Sequence, residues 1–102
     1  MIKIVTKEEA VKYLSDTPAE RCFWVNDGHV LKNLSELANA FPQMNGDIYL
    51  YHANKEKNDF SKWVNDIIGD NKLANDLLSS KTKDSAVKKL NSRLAVLKKK
   101  AG

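Results

Sequence analysis

The residue types that most often carry chemistry are rare in this chain, which has one cysteine, Cys22, and two histidines, His29 and His52. A zinc site usually shows in a sequence as paired ligands at short spacing, such as two cysteines with two residues between them or two histidines with three residues between them. The sequence contains no such pair. We therefore expect packing or surface roles for these three side chains, and we predict neither a metal nor another cofactor.

Three aspartates and one histidine are the candidates for acid–base catalysis, namely Asp27, Asp47, Asp59 and His52. A catalytic site needs two or three convergent groups and a pocket. Asp27 stands in a turn, and Asp47 and Asp59 stand where helices begin, so that their side chains can accept hydrogen bonds from unpaired backbone N–H groups. Because each aspartate has this local explanation, we predict that the protein is not an enzyme.

Basic residues are concentrated at the end of the chain. Residues 81–102 hold eight basic residues against one acidic residue, Asp84, for a net charge of +7, whereas residues 1–80 hold nine basic and twelve acidic residues, for a net charge of −3. The eight basic residues are Lys81, Lys83, Lys88, Lys89, Arg93, Lys98, Lys99 and Lys100. A basic segment beside a slightly acidic body indicates a polyanionic partner, or an acidic surface elsewhere in an assembly.

The same segment carries an apolar stripe, with Val87, Leu90, Leu94 and Leu97 at spacings of three, four and three. Three interpretations are open for this amphipathic helix: it docks on its own domain, it contacts a phosphate backbone, or it forms a homodimer seam over two heptads. The leading hypothesis is a non-catalytic module that binds DNA or RNA non-specifically through these basic residues. The alternative is a protein–protein interaction or assembly module, as a homo-oligomer or an adaptor, with this helix as the seam.

Helix starts are marked by side chains that can cap them. Thr6 and Glu9 form a capping-box pattern that predicts a first helix over about Lys7 to Leu14. Later starts are predicted at Asn33, Asn45-Gly46-Asp47, Asn58 or Asp59, Asp70 and Thr82. Gly69 is placed where a left-handed helix end is expected.

Between the first two helices, β-prone residues flank the dipeptide Asp27-Gly28. This pattern predicts a β-hairpin with a two-residue turn, in which both turn residues have positive φ. In that register Val25 faces Val30 and Trp24 faces Leu31.

The predicted fold is mainly α, a compact bundle of five or six short helices with one small two-stranded β-hairpin. Its core is predicted to contain Trp24, Leu34, Leu37, Phe41, Ile48, Tyr51, Phe60, Trp63, Val64, Ile67, Leu73 and Leu77. Residues 1–80 form the compact domain, and residues 81–102 form a basic amphipathic helix docked on it. A single cysteine and the lack of a long apolar run favour a cytoplasmic protein without a membrane partner.

The order Phe23-Trp-Val-Asn-Asp-Gly28, then Asn58-Asp-Phe-Ser-Lys-Trp63, then Gly69-Asp-Asn-Lys-Leu-Ala74 resembles a family of small archaeal and bacterial helical domains of unknown function. The resemblance covers about residues 23–78. It implies a self-contained helical module with a small hairpin, and no catalytic residue. In similar sequences the position before His52 is often a second histidine, and Tyr51 stands there in this chain, which weakens a metal site further.

Overall fold

The computed structural model describes residues 4–102, so the first three residues of the predicted domain lie outside it. This part of the chain contains six α-helices and one antiparallel hairpin, which confirms the predicted fold class. The helices are α1 (Lys7–Leu14), α2 (Leu34–Ala40), α3 (Gly46–His52), α4 (Asp59–Trp63), α5 (Asn71–Leu78) and α6 (Lys83–Ala101). The strands are β1 (Phe23–Trp24) and β2 (Val30–Leu31). Two 3-10 turns, Ala19–Arg21 and Phe41–Gln43, and a π-helical turn, Val64–Ile68, connect them.

Side-chain caps fix the helix starts. The Thr6 hydroxyl accepts the Glu9 N–H at 3.1 Å, and the Glu9 carboxylate accepts the Thr6 N–H at 3.0 Å, which confirms the capping box. The side chains that accept the corresponding N–H at the other helices belong to Asn33, Asn45, Asn58, Asp70 and Thr82. Of the two predicted candidates for α4, Asn58 is therefore the cap and Asp59 is not, and Asp47 lies inside α3 rather than at its cap.

The hairpin loop has three residues, Asn26-Asp27-Gly28. The Val25 N–H donates to the carbonyl oxygen of His29 at 2.8 Å, and the Gly28 N–H donates to the carbonyl oxygen of Val25 at 2.9 Å. Gly28 has a φ of 101°, whereas Asp27 has a negative φ. The predicted two-residue turn is therefore wrong, because it needs positive φ at both positions, and the chain forms the three-residue loop with a left-handed glycine.

This longer loop shifts the strand register by one residue. Phe23 pairs with Leu31, and Trp24 pairs with Val30. Because successive side chains in a strand point to opposite faces, the shift buries Phe23 and Val25 and turns Trp24 to solvent, where it is 66% exposed. The prediction that Trp24 belongs to the core is thus wrong.

The core is aromatic around Phe60. Its ring centroid lies 5.0 Å from that of Phe23, 4.9 Å from that of Phe41 and 5.6 Å from that of Tyr49. Of the predicted core residues, those that are buried are Leu34, Leu37, Phe41, Phe60, Trp63, Val64, Leu73 and Leu77. Ile48 and Ile67 are half-buried.

Helix α3 buries a different face from the predicted one. Tyr49, His52 and Ala53, at i, i+3 and i+4, are buried, whereas Tyr51 is 53% exposed. The prediction of Tyr51 as a core residue is wrong because Tyr49 stacks on Phe60 and leaves Tyr51 on the outside.

A π-helical turn over Val64–Ile68 extends α4. The Gly69 N–H donates to the carbonyl oxygen of Val64 at 2.7 Å, five residues back, and Gly69 ends the turn with a φ of 95°. The wider turn rotates Ile67 partly away from the core and buries Ile68.

The last helix, α6, closes the bundle by packing along α1, α5 and α2. Its buried residues recur every three or four positions: Ala86, Leu90, Leu94 and Leu97. Val87 is half-buried against the same core. The apolar stripe of α6 is therefore covered by this chain's own helices.

Candidate phosphate-binding face

The side of α6 opposite its buried stripe carries Lys88, Ser92 and Lys99. Spacings of four and seven residues place these three side chains in one row, and all three are exposed. Among residues 4–102, neither lysine has an ion-pair or hydrogen-bond partner for its ammonium group. We call this row, together with the exposed lysines defined next, the basic face.

Three further lysines complete the basic face. Lys98 and Lys100 are exposed in the last turn of α6 on either side of Lys99, and Lys81 is exposed just before the helix begins. Cations in the last turn also stabilise the unpaired carbonyl groups at a helix end. Lys88 lies in mid-helix and gains nothing from that effect. The lysines of the last turn therefore have a local explanation in the helix end, whereas the unpaired ammonium group of Lys88 has none.

The other three predicted site residues make contacts inside the fold. The Lys83 ammonium donates to the carbonyl oxygen of Met44 at 2.7 Å, and the Lys89 ammonium donates to the Ser79 hydroxyl at 3.2 Å. These bonds tie α6 to the turn before α3 and to the end of α5. The ammonium groups of Lys83 and Lys89 thus already donate hydrogen bonds within the fold. They add positive charge near the basic face, but they are not free of partners as Lys88 and Lys99 are within residues 4–102.

Arg93 points inward and pairs with Asp70. Its Nε lies 2.7 Å from Oδ2 and its Nη2 lies 2.9 Å from Oδ1, while the two side chains are 11% and 1% exposed. The same carboxylate accepts the Leu73 N–H at the start of α5. Arg93 is therefore a structural residue of the helix packing, which corrects its place among the predicted phosphate-binding residues.

Sequence reasoning missed Lys72, which lies beside the basic face. A cavity of about 240 Å³ brings Lys72 and Asp76 of α5 together with Lys88, Lys89 and Ser92 of α6. The Lys72 ammonium contacts the Asp76 carboxylate at 2.7 Å, so this lysine is locally neutralised. The i, i+4 pair was visible in the sequence, but its position next to α6 depends on how the two helices pack.

His52 is a structural link between the hairpin and α4. Its Nε2 accepts the Asn26 N–H at 2.9 Å, so Nδ1 carries the proton and donates to the Asp59 carboxylate at 3.0 Å. Burial alone raises the pKa of Asp59, but the hydrogen bonds from His52 and Lys57 outweigh it, so that this pKa lies below its ordinary value. Asp59 thus orients His52 instead of capping its helix.

The remaining candidates have local partners as well. The Cys22 thiol lies 3.5 Å from the carbonyl oxygen of Pro18, and the exposed His29 contacts the Asp27 carboxylate at 2.8 Å. A hydrogen bond from the backbone N–H of His29 and, to a smaller extent, one from its side chain hold the pKa of Asp27 below its ordinary value. Across residues 4–102, no three side chains of His, Cys, Asp or Glu come together as a ligand set for a metal.

Comparisons with family models, curated proteins and solved structures find no match to this chain. The resemblance noted from the sequence therefore stays a prediction. No helix within the described residues has both the length and the hydrophobicity that a membrane span requires.

Proposed function

We propose that this protein is a non-catalytic binding module that contacts the phosphate backbone of DNA or RNA through the basic face of α6. The observation that carries the proposal is the exposed row of Lys88 and Lys99, with ammonium groups that have no carboxylate partner among residues 4–102. A cytoplasmic location is part of the same proposal, supported by the single, unpaired Cys22.

The chemistry of the basic face favours phosphates over base edges. All five of its cations are lysines, and a lysine ammonium is a compact point charge without the bidentate fork with which arginine reads guanine. Contacts to phosphates position a protein on nucleic acid but carry no sequence information. The expected binding is therefore weakly sequence-specific and strongly dependent on salt.

The spacing of the row suits a duplex. Eleven residues separate Lys88 from Lys99, which corresponds to about 16 Å along an α-helix. The major groove of B-DNA is about 12 Å wide. Two flexible lysines at this distance can reach phosphates on opposite sides of one groove.

The assembly alternative loses the observation that motivated it. A seam through α6 needs its leucines at the surface, but Leu90, Leu94 and Leu97 are 0%, 5% and 0% exposed within a single chain. The lysines are the part of this helix that remains available to a partner.

Fluorescence anisotropy with a 20-base-pair DNA or RNA duplex tests the proposal. If five lysines contact phosphates, the logarithm of the binding constant should fall with the logarithm of salt concentration with a slope of about −4.5. The double variant Lys88→Glu/Lys99→Glu should weaken binding at low salt at least tenfold and reduce the slope by about two.

The matched control is Lys7→Glu/Lys62→Glu, which changes the net charge equally at two exposed lysines outside the basic face. It should retain most of the affinity and the full salt slope. Equal losses in both variants would show that only the overall charge matters, and no binding of either duplex at 25 mM salt would rule the proposal out.

A further inference from the structure

A second candidate site lies on another part of the molecule, between the end of α3, the loop after it and the joint between α5 and α6. It is a cavity of about 410 Å³. The residues that line it and carry the argument are Tyr49, Leu50, Lys55, Leu78, Ser80 and Lys81. Cavities that bind small molecules in proteins begin at about 300 Å³ and are mostly apolar.

Most of the surface that lines this cavity is apolar. Tyr49 and Ala53 are buried and form its inner side, whereas Leu50 and Leu78 are 58% and 63% exposed. Leu50 lies on α3 and Leu78 on α5, so two leucines from separate helices line one opening. Large exposed apolar side chains that cluster around a cavity mark a binding site more often than scattered ones do.

Most polar side chains around the cavity are already satisfied. The Asn54 side chain donates to the carbonyl oxygen of Leu50 at 2.9 Å and accepts the Glu56 N–H at 2.9 Å. Asn58 donates to the carbonyl oxygen of Leu77 at 3.2 Å and also caps α4. The Ser80 hydroxyl donates to the carbonyl oxygen of Asp76. These groups offer little to a polar ligand such as a nucleobase.

Three polar groups at the cavity have no such partner within residues 4–102: the Tyr49 hydroxyl and the ammonium groups of Lys55 and Lys81. Both lysines are exposed. A tyrosine hydroxyl is protonated at neutral pH and can donate a hydrogen bond, and burial raises the pKa of Tyr49 further. All three groups can thus donate a hydrogen bond, and two of them are positively charged.

We propose that this cavity binds a small amphipathic carboxylate, with its hydrocarbon chain between Leu50 and Leu78 and its carboxylate near Lys55 and Lys81. Apolar walls with cationic groups at the edge complement an anionic head on an apolar body. Lys81 is the one residue that this site shares with the basic face, and the proposal does not require binding of nucleic acid there.

A heteronuclear NMR titration with octanoate, below its micelle concentration, tests the inference on the full chain. Saturable shifts should appear at Leu50, Leu78 and Ala53. The affinity should rise about tenfold from hexanoate to octanoate, because two more methylene groups are buried. Octan-1-ol and octylamine have the same chain without the negative charge, and they should bind at least tenfold more weakly.

Charge-reversal variants show whether octanoate binding depends on the two lysines at the edge of the cavity or only on the overall charge of the protein. Lys55→Glu and Lys81→Glu should each weaken octanoate binding several-fold. Leu78→Asp should abolish binding, and the variant should remain folded because Leu78 is exposed. Lys62→Glu, an exposed lysine on α4, is the control and should bind octanoate as the parent protein does.

Equal affinity for octanoate and octan-1-ol would overturn the inference, as would the absence of saturable shifts. Preference for an acidic peptide containing one leucine over octanoate would also overturn it, in favour of a protein partner at this cavity. Each measurement is made without nucleic acid, so its result does not depend on binding at the basic face.

Discussion

The buried ion pair between Asp70 and Arg93 joins the start of α5 to the middle of α6. The carboxylate receives two hydrogen bonds from the guanidinium and one from the Leu73 N–H, so both of its oxygens are used. In a buried pair of this kind, the attraction mainly offsets the free energy lost when both charges leave water. Removing one partner is far more damaging than the pair is stabilising, because the other charge is left buried and unpaired.

Arg93→Ala should accordingly lower the free energy of unfolding by about 3–5 kcal/mol, measured by urea denaturation. Lys100→Ala is a matched control, since Lys100 lies seven residues later on the same side of α6 but is exposed. Its effect should stay within about 0.5 kcal/mol. If Arg93→Ala lowered the free energy of unfolding by less than about 1 kcal/mol, the buried ion pair would be contradicted, and Arg93 would again be a candidate for phosphate binding.

The role of Arg93 could not be predicted from the sequence, although Asp70 was correctly predicted as a cap. Twenty-three residues separate the two partners, and a cap explains Asp70 without any partner. His52 illustrates the same limit, because its two partners, Asn26 and Asp59, come from the hairpin loop and from α4. Local hydrogen bonds follow from local sequence, but these contacts follow from the packing of distant elements.

At the scale of the elements, the hairpin shows how one loop residue decides what a strand buries. Asp27-Gly28 fits both a two-residue and a three-residue loop, and the choice between them determines whether Trp24 faces the core or solvent. The Val25 N–H bonds to His29, and the neighbouring Asn26 N–H is held by the buried His52. These contacts stabilise the longer loop, and the second of them comes from outside the hairpin.

Glycine substitution tests this loop. Gly28→Ala should lower the free energy of unfolding by about 1–2 kcal/mol, because an alanine at a φ of 101° is strained even though nothing lies within 4 Å of its added Cβ. Thermal unfolding followed by circular dichroism measures the change.

Gly46→Ala is the matched control. Gly46 also has open space around it, but its φ is not positive and it stands at the start of α3. An alanine there should leave the stability unchanged or raise it by about 0.5 kcal/mol. Equal effects of the two substitutions would contradict the left-handed conformation of Gly28.

Helix starts were the most predictable elements. Thr6, Asn33 and Thr82 each cap the helix that the sequence predicted for them, because a cap depends on residues three positions apart. Helix faces were less predictable where an element is short. In α3 only seven residues define the apolar face, and a shift by one position moves that face from Ile48 and Tyr51 to Tyr49 and His52.

At the scale of the whole molecule, α6 is both a wall of the core and the carrier of the basic face. Its leucines pack against α1, α2 and α5, and its Arg93 neutralises Asp70. Deleting residues 81–102 would therefore expose the core and leave a buried carboxylate unpaired, so a loss of binding after such a deletion says nothing about the lysines. Charge reversal at Lys88 and Lys99 leaves the core in place and is the sharper test.

The double role of α6 leads to a last prediction about its apolar stripe. Leu94 is 5% exposed, whereas Val96, two residues later, is 49% exposed. Leu94→Asp buries a carboxylate without a partner and should abolish cooperative unfolding in circular dichroism. Val96→Asp adds the same charge on the exposed side, and it should remain folded with a stability within about 0.5 kcal/mol of the parent.

Sedimentation of the parent protein and both variants decides between core and seam. A leucine stripe covered by its own chain predicts a monomeric parent, an unfolded Leu94→Asp variant and a monomeric, folded Val96→Asp variant. A dimeric parent with a folded, monomeric Leu94→Asp variant would instead show that the stripe joins two chains. In that case the lysines of α6 would form the solvated outer side of an assembly, and the proposal of phosphate binding would lose its basis in a free monomer surface.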